Sequence, residues 1–384
     1  MAASPEASRG EAAASPTADR VPATLVPLRL LFVGNVDSVH VQRWAGFFAE
    51  RGHDVHVAAL WQPVAGDANH PFRVHRLGRP QTAFIRLARL ASRLKAQVVH
   101  AHYLTYYGWM AWAALTRPYA VTLWGSDVLL DLPASRFRRA WARIVLSGAA
   151  CVTADSPIIL DAAVQLGARR SRAHEIQFGV ETERFRPGPR PERLIAELGL
   201  SGRRVVFAPR SIAPIYQTLT VIEAVRRLPS DVVVLGSLSG ADPAYLELVQ
   251  AAVARAGMTD RVHWLPPIAH ADIDAVYRAA DVVVSIPTTD GTPVSVLEAL
   301  ATGVPVVATD LPAVRPWLEG VEPELLVPVD DANATAAAIR HALDVPATQR
   351  RAAAHRGRAI VMERADRTRE MLRMEAIYLE MARP

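Results

Sequence analysis

The sequence predicts an α/β protein in which two doubly wound parallel-sheet domains face each other across a cleft. The chain of 384 residues exceeds the size at which a single core stops growing. Short runs of β-branched residues alternate with helical segments along most of its length. A proline-rich segment from Pro187 to Pro191 interrupts this alternation once and predicts a hinge. We therefore expect one domain over residues 27–187 and a second over residues 188–355.

In the first domain, each predicted strand is followed by a helix that returns the chain across the sheet. The strands are LRLLFVGN, HDVHVAAL, AQVVHAHY, YAVTLWG and ACVTAD. The helices are VQRWAGFFAERG, RPQTAFIRLARLASRLKAQ, GWMAWAAL, SRFRRAWARIV and a last one that ends at Gly167. Helices of this length between strands of this length indicate a parallel sheet with helices on both faces.

The second domain repeats the plan. Its predicted strands are RRVVFAPRS, DVVVLGS, RVHWL, ADVVVSI and VPVVAT, and its helices are QTLTVIEAVRRL, PAYLELVQAAVARAG, ADIDAVYRAA and VSVLEALATG. Right-handed crossovers place the carboxyl ends of the strands at one edge, where open α/β sheets bind their ligands. Two such domains leave a cleft between these edges, and a ligand there is contacted from both sides.

Composition limits where the protein works. The first 26 residues are small and polar with charges of both signs, which predicts a disordered tail. No segment offers about 18 uninterrupted apolar residues, so we expect no membrane-spanning helix. Cys151 is the only cysteine, which excludes an internal disulfide and fits a reducing compartment. We expect a soluble cytoplasmic protein.

The charge is unevenly divided. The first 187 residues hold 22 arginine and lysine residues against 14 acidic ones, whereas the remainder holds 21 against 24. Much of the basic excess lies on two amphipathic helices, RPQTAFIRLARLASRLKAQ and SRFRRAWARIV. Two interpretations stay open, a solvated arginine face or peripheral contact with an anionic membrane surface. The basic residues match no nucleic-acid recognition motif, so we expect no nucleic-acid partner.

The segment TTDGTPVSVLEALATGVPVVATD, from Thr288 to Asp310, predicts a strand, a turn, a helix that ends at Gly303 and a second strand. Asp290 lies in the turn and Glu298 about two turns into the helix. We expect the N–H groups of Gly291, Thr292 and Val294 to point out of the helix start, where they suit a phosphate. The alternative is a surface turn whose two acids face solvent.

With these motifs, the chain resembles the GT-B fold glycosyltransferases of family 4, a retaining, nucleotide-sugar-dependent group. The resemblance covers nearly the whole chain after the tail. It is carried by LFVGNVDSVHVQRWAGFFAERGHDVHV, VVHAHYLTYYGWMAWAAL, VTLWGSDVLL, FGVETERFRP and, most specifically, DGTPVSVLEALATGVPVVATD. It implies that the segment 356–384 crosses back as a helix onto the first domain.

The resemblance implies roles for residues of the second domain. Glu298 accepts hydrogen bonds from the donor ribose, and Asp290 contacts the transferred sugar. The family usually has Glu at the first position, and Asp withdraws the carboxylate by about 1.5 Å. Arg210 grips the diphosphate. The lysine that follows five residues later in the family is replaced by Ile215 and Tyr216, and Lys95 is the only lysine in the chain.

Without that lysine, we expect Tyr216 or Gln217 to add a neutral hydrogen-bond donor. Ser237 ends its strand in the loop LGSLSG, which together with WLPPIAH is expected to shape the pocket for the base and the sugar. Neither loop identifies the base from pattern alone.

In the first domain, Asn35 stands where the family has a glycine-rich loop over the phosphates. Trp124 replaces a histidine that many relatives carry near the reacting sugar, which makes Asp127 the candidate polar group, with helix capping as its alternative. His102 shares a strand face with His100. This pair fits an active-site role, a packed core or, less well because no third ligand is at hand, a metal site.

The expected reaction is transfer of a sugar from a nucleoside-diphosphate sugar to the hydroxyl of a glycan, lipid-linked or small-molecule acceptor. Retention of anomeric configuration is implied, with no cofactor or metal. Two rivals stay open: a GT-B sugar-nucleotide epimerase, and a non-catalytic nucleotide-sugar-binding scaffold of the same fold.

Overall fold

The computed structural model describes residues 26–60, 70–129, 131–132, 135–267 and 272–383. These residues form two parallel sheets, one in each half of the chain, with helices on both faces. The predicted tail over residues 1–26 lies outside the described residues except for Val26. Among the described residues, no helix is both long and apolar enough to cross a bilayer.

The first domain contains a seven-stranded sheet of order β3-β2-β1-β4-β5-β6-β7, and every pairing is parallel. The strands are β1 Arg29–Val33, β2 Asp54–Ala59, β3 Arg73–Arg76, β4 Val98–His102, β5 Tyr119–Thr122, β6 Cys151–Ala154 and β7 Ala173–Glu175. The helices are α1 Val39–Glu50, α2 Pro80–Leu94, α3 Trp109–Ala113, α4 Ser126–Leu129, α5 Arg136–Gly148 and α6 Pro157–Gln165, and a π-helical turn Leu104–Gly108 precedes α3.

The second domain contains a six-stranded parallel sheet of order β10-β9-β8-β11-β12-β13. The strands are β8 Arg204–Ser211, β9 Val232–Ser237, β10 Val262–Leu265, β11 Val282–Ser285, β12 Val306–Thr309 and β13 Leu326–Val327. Its helices are α7 Glu192–Glu197, α8 Thr218–Arg226, α9 Pro243–Arg255, α10 Ile273–Ala279, α11 Val294–Thr302, α12 Arg315–Leu318, α13 Ala332–Asp344 and α14 Ala347–Arg364, and the chain ends with α15 Arg367–Met381, which packs on the first domain. Both sheets confirm the predicted fold class.

Local sequence explains where the helices next to the cleft begin and end. The side chains of Ser135 and Ser156 accept hydrogen bonds from backbone N–H groups at the starts of α5 and α6. The helix α11 ends at Gly303, which has φ of 80°, as the sequence predicts. These termini place the turns before the helices at the carboxyl ends of the strands.

The chain crosses between the domains twice, and the two crossings are hydrogen-bonded side by side. Val180 N–H donates to the carbonyl of Ala365 over 2.8 Å, and Arg367 N–H donates to the carbonyl of Val180 over 2.9 Å. Before the second crossing, α14 packs on the second domain, where a Cβ placed on Gly357 would lie 2.8 Å from Leu300. The structure therefore places the crossings earlier than residue 187 and later than residue 356.

Only α15 packs on the first domain. The indole N–H of Trp44 donates to the hydroxyl of Tyr378 over 3.0 Å, and Arg51 donates to both oxygens of Glu375 over 2.7 and 2.9 Å. Tyr378 and Trp44 are almost fully buried. The last helix is thus part of the first domain's core. It begins directly after the second crossing, so it anchors the chain to the first domain where the chain leaves the second domain.

Candidate active site

The turn between β11 and α11 holds the Asp290 carboxylate between two donors. Arg210, near the end of β8, donates Nη1–H to Oδ2 over 3.0 Å, and the Gly291 N–H donates to Oδ1 over 3.0 Å. Burial raises the pKa of Asp290, while Arg210 and the Gly291 N–H oppose that rise. The structure therefore brings together two of the residues that the sequence assigns to the site.

Glu298, on α11, is buried beside Tyr277 of α10. The Tyr277 hydroxyl donates to Oε2 of Glu298 over 2.8 Å. Burial, with the nearby carboxylate adding to it, raises the pKa of Tyr277 well above its ordinary value, so the phenol stays a donor. Because the Glu298 residue and the Asp290 side chain are each only 9% exposed, the alternative of two solvent-facing acids is wrong.

Arg210 lies against the ring of Tyr216, with its guanidinium carbon 4.3 Å from the ring centroid. Burial disfavours the charged guanidinium, but Asp290 and Tyr216 outweigh burial and the pKa of Arg210 is raised. Gln217, the other predicted neutral donor, accepts the Asp330 N–H at Oε1 over 2.8 Å, and its Nε2 is buried with no hydrogen-bond partner among the described residues. Tyr216 is the neighbour whose ring contacts Arg210.

Two of the three amides predicted to cradle a phosphate at the start of α11 have acceptors within the turn. Gly291 N–H donates to its neighbour Asp290 over 3.0 Å, and Val294 N–H donates to the carbonyl of Thr292 over 2.9 Å. The reason is local, since Pro293 precedes the helix without an N–H and the turn closes on itself. Phosphate binding by Gly291, Thr292 and Val294 stays a prediction.

A wall of aromatic side chains from the first domain faces this turn. The ring centroid of His40, at the start of α1, lies 4.4 Å from that of Phe178 and 5.4 Å from that of Trp124. Burial, then Arg43 and Arg210, lowers the pKa of His40 to about 4. The imidazole is therefore neutral at physiological pH and stands next to the residue that replaces the family's histidine.

Asp127 accepts hydrogen bonds from the backbone next to this aromatic wall. Its Oδ2 accepts the Leu104 N–H over 2.8 Å and its Oδ1 accepts the Trp124 N–H over 3.1 Å. Burial raises the pKa of Asp127 to about 6, against the opposing effect of these backbone bonds. Because both oxygens are engaged with backbone, the structure favours the capping alternative over direct contact with a sugar.

His102 is buried in the first domain's core. Neither ring nitrogen has a hydrogen-bond partner among the described residues, and burial followed by His40 lowers the pKa of His102 to about 3. Its neighbour His100 is fully engaged, with Tyr378 at Nδ1 and Thr122 at Nε2. This pairing favours the packed-core interpretation. In the described ranges, no three His, Cys, Asp or Glu side chains form a metal-binding group.

Asn35 follows the end of β1 in the first domain and Ser237 ends β9 in the second, and the side chains of both residues hydrogen-bond within their own turns. Oδ1 of Asn35 accepts the Asp37 N–H over 3.0 Å, and Oγ of Ser237 accepts the Ser239 N–H over 3.3 Å. Their positions at the carboxyl ends of β1 and β9 follow the prediction. Contact with a nucleotide stays a prediction for both residues.

The two domains touch at Thr292. Its hydroxyl hydrogen-bonds to the carbonyl of Asp155 and to Oε1 of Gln177, each over 3.2 Å. Next to this contact is a cavity of about 170 Å³, lined by Ser156, Ile158, Ile159, Thr289, Asp290, Gly291, Leu311, Pro312 and Ala313. Small-molecule pockets usually measure about 300–1,000 Å³, so this cavity by itself is smaller than a usual ligand pocket.

Sequence analysis missed several first-domain residues that the fold brings to the cleft: His40, Arg43, Asp155, Gln177 and Phe178. The available signal was position, because each residue follows the carboxyl end of a strand or lies in the first two turns of the helix after it. Arg43 is the most informative of them. Its Nη2 lies 3.4 Å from Glu181, and its charge acts on Glu298 across the cleft.

Two segments of the chain match models of known protein families. Residues 29–156 match the family model described as Glycosyl transferase 4-like, and residues 202–344 match the model described as Glycosyl transferases group 1. D-inositol 3-phosphate glycosyltransferase of Mycobacterium sp. (strain KMS) is 33% identical over 273 residues, which are 67% of this chain and 61% of that protein. The protein of the same name from Mycobacterium tuberculosis (strain F11) is 34% identical over 205 residues, 52% of this chain and 40% of its own.

Solved structures share the whole architecture. Anabaena HepE in complex with UDP superposes with a TM-score of 0.79 at 20% identity, covering 92% of this chain and 100% of that one. Sucrose-phosphate synthase from Thermosynechococcus elongatus gives 0.76 at 20% identity over 92% and 99%. At this identity the likeness establishes the fold, which is GT-B.

The family models and the curated relatives carry the identification further. The chain belongs to the glycosyltransferases of the family 4 type. It spans less than two thirds of the length of the curated relatives that it matches.

Proposed function

We propose that this protein transfers a sugar from a nucleoside-diphosphate sugar to an acceptor hydroxyl, with retention of anomeric configuration. The observation that carries the proposal is the convergence of Asp290, Glu298 and Arg210 at one edge of the second domain, opposite the aromatic wall of the first. Two carboxylates suit the vicinal hydroxyls of a ribose and a sugar, and a guanidinium suits a diphosphate.

Each residue has a defined part in donor binding. Glu298, oriented by the Tyr277 hydroxyl, accepts hydrogen bonds from the ribose. Asp290, oriented by Arg210 and the Gly291 N–H, accepts them from the transferred sugar. Arg210 then stabilises the negative charge that develops on the leaving diphosphate, while closure of the domains excludes water.

Retention follows if the leaving phosphate takes the acceptor's proton on the same face as the departing bond, so no protein carboxylate need act as nucleophile. We also propose that no metal ion is needed, because guanidinium groups supply the positive charge. Product configuration read by NMR from coupling at the anomeric proton tests the first point. Full activity in excess EDTA is expected for the second.

The names of similar proteins suggest which substrates to test first. The Anabaena HepE structures contain UDP and UDP-glucose, so uridine is the first base to test. The curated relatives are named for D-inositol 3-phosphate, which makes a phosphorylated polyol the first small-molecule acceptor. Glycan and lipid-linked acceptors complete the panel.

One surface of the first domain supports the proposal of peripheral membrane contact. The helices α2 and α5 contain no acidic residue and expose arginines, and Ile85, Phe137 and Ile144 are exposed among them, with Phe137 71% exposed. Arginines interleaved with exposed apolar side chains suit an anionic lipid surface. We expect co-sedimentation with vesicles that contain phosphatidylglycerol and none with phosphatidylcholine vesicles, whereas equal recovery with both contradicts this part.

The donor site is tested by thermal unfolding of the parent and of Glu298→Ala with UDP, GDP, ADP and dTDP. A diphosphate at 100 times its dissociation constant stabilises the parent by about 2.7 kcal/mol. We expect one diphosphate to raise the parent's midpoint and the variant to lose the response. Binding without any transferred product, over the full acceptor panel, would favour the non-catalytic scaffold. Release of an epimerised sugar nucleotide would favour the epimerase.

A further inference from the structure

The residues that the second domain offers to a donor carry too little positive charge. Arg210 is already paired with Asp290 over 3.0 Å, and Glu298 adds a further negative charge. A sugar nucleotide brings a diphosphate with about two negative charges, and buried charges require partners. Lys95, the only lysine, is exposed at the end of α2. A further cation must therefore come from elsewhere in the cleft.

Arg43 of α1 faces the second domain from the first. Its side chain is 15% exposed, and its Nη2 lies 3.4 Å from Glu181. Its Nε is buried and has no hydrogen-bond partner among the described residues. Burial is the largest factor that lowers the pKa of Arg43, and Glu298 is one of the carboxylates that oppose this. A buried guanidinium N–H without an acceptor among the described residues points to an anionic ligand.

The surroundings of Arg43 are rich in cations. Arg43, Arg184 and Arg367 all pair with Glu181. Arg184 and Arg278 pair with Asp274. Among the described residues of this cluster, four guanidinium groups therefore share two carboxylates. Three of these guanidinium groups, Arg43, Arg184 and Arg367, lie with Glu181 on the first domain and the crossover segments, whereas Arg278 and Asp274 belong to α10 of the second domain.

We propose that Arg43 binds the diphosphate of the donor and is the second cation of the site, supplied across the cleft in place of the lysine absent at position 215 or 216. The inference rests on the proposed function, because it assumes a nucleoside-diphosphate sugar. Arg210 and Arg43 lie on different domains, so a diphosphate held by both favours the closed arrangement. Domain closure then depends on the charged part of the donor and not on its base.

The test compares a nucleoside diphosphate with the corresponding nucleoside. Calorimetric titration of UDP, and ligand-observed NMR titration of uridine, are carried out on the parent, Arg43→Gln, Arg43→Lys and Arg51→Gln. Arg51 is on the same helix and pairs with Glu375, away from the cleft, so it is a matched loss of one arginine. If another base is identified first, its diphosphate and nucleoside replace this pair. Circular dichroism checks that each variant is folded.

Loss of one charge-assisted contact predicts that Arg43→Gln binds UDP about 10- to 100-fold more weakly. Uridine affinity should change by less than about twofold, Arg43→Lys should recover part of the loss, and Arg51→Gln should match the parent. Unchanged UDP binding in Arg43→Gln overturns the inference, as does an equal loss for UDP and uridine, which indicates a structural role. A parent that binds uridine and UDP equally well contradicts the inference alone, whereas a parent that binds no diphosphate of any base contradicts the proposed function itself.

Discussion

Gly179 lies where the two interdomain crossings are hydrogen-bonded, and replacing it by alanine should loosen this connection. Its φ is +73°, a conformation that L side chains rarely adopt. A Cβ at this position would lie 2.6 Å from the Cα and 2.9 Å from the backbone N of Arg367. Because both atoms belong to the backbone, no side-chain rotation relieves the contact. One of the two crossing segments has to move.

The structure also sets the size of the effect. Positive φ costs a non-glycine residue about 1–2 kcal/mol. Displacing the segment also weakens the two hydrogen bonds that Val180 shares with Ala365 and Arg367, each worth about 0.5–1.5 kcal/mol. Gly179→Ala should therefore cost about 2–5 kcal/mol. Gly257 is the matched control, with φ of +65° and no atom within 4 Å of an added Cβ, so Gly257→Ala should cost only about 1–2 kcal/mol.

The assay is thermal and urea unfolding of both variants beside the parent, with UDP affinity measured on the folded proteins. At about 2–4 °C per kcal/mol for domains of this size, Gly179→Ala should melt several degrees below Gly257→Ala. It should also bind UDP more weakly, because the crossing sets how the two halves of the site meet. Equal midpoints for the two variants would show that the backbone contact at Arg367 is relieved without cost and would refute the reasoning.

Two further predictions concern the site. Tyr277→Phe should lower the unfolding free energy by about 1–3 kcal/mol, because a buried hydrogen bond to the Glu298 carboxylate is lost. Tyr245→Phe, which removes a hydroxyl that accepts an exposed N–H over 3.4 Å, should change it by less than about 0.5 kcal/mol in the same denaturant titration. Burial, then Arg43 and Arg210, lowers the pKa of His40 from 6.5 to about 4. Between these two pH values the imidazole is therefore protonated in the unfolded chain and neutral in the folded chain. His40 should therefore make the unfolding free energy rise with pH from about 4 to 6.5 and have no further effect above that range. His40→Gln should flatten this rise. Equal dependence of the unfolding free energy on pH in parent and variant would contradict the assignment.

The architecture was predictable because it depends on features that are local in sequence. Alternating strands and helices imply a parallel sheet, and a stop such as Gly303 follows from one residue's backbone preference. The crossings were harder to place, since the prolines from Pro187 to Pro191 suggested a hinge that the structure puts earlier, at Val180. The hydrogen bond between Val180 and Ala365 joins distant parts of the chain, and no local sequence pattern predicts it.

The site residues also divide into those that local sequence predicts and those that depend on long-range contacts. Asp290 and Glu298 were predictable because one turn and one helix carry both acids, and Arg210 because it ends a strand at the same edge. The N–H groups of Gly291 and Val294 were expected to be free, but the folded turn supplies their acceptors, Asp290 and the carbonyl of Thr292. The sequence shows no partner for Asp127, but in the structure the backbone N–H groups of Leu104 and Trp124 donate to its carboxylate. What the sequence could not show is the set of partners that reach each group from distant parts of the chain.

The division of charge between the domains has a consequence for how the cleft closes. Asp290 and Glu298 lie on one side and Arg43, Arg184 and Arg367 on the other, so the two sides attract each other, and the domains touch at Thr292. The proposed donor would replace this attraction between protein groups by its own hydroxyls and phosphates. Its ribose and sugar satisfy the acids while its diphosphate satisfies the arginines. A nucleoside alone offers only the first half, so it should leave the arginine side unpaired and close the cleft less well than the diphosphate does.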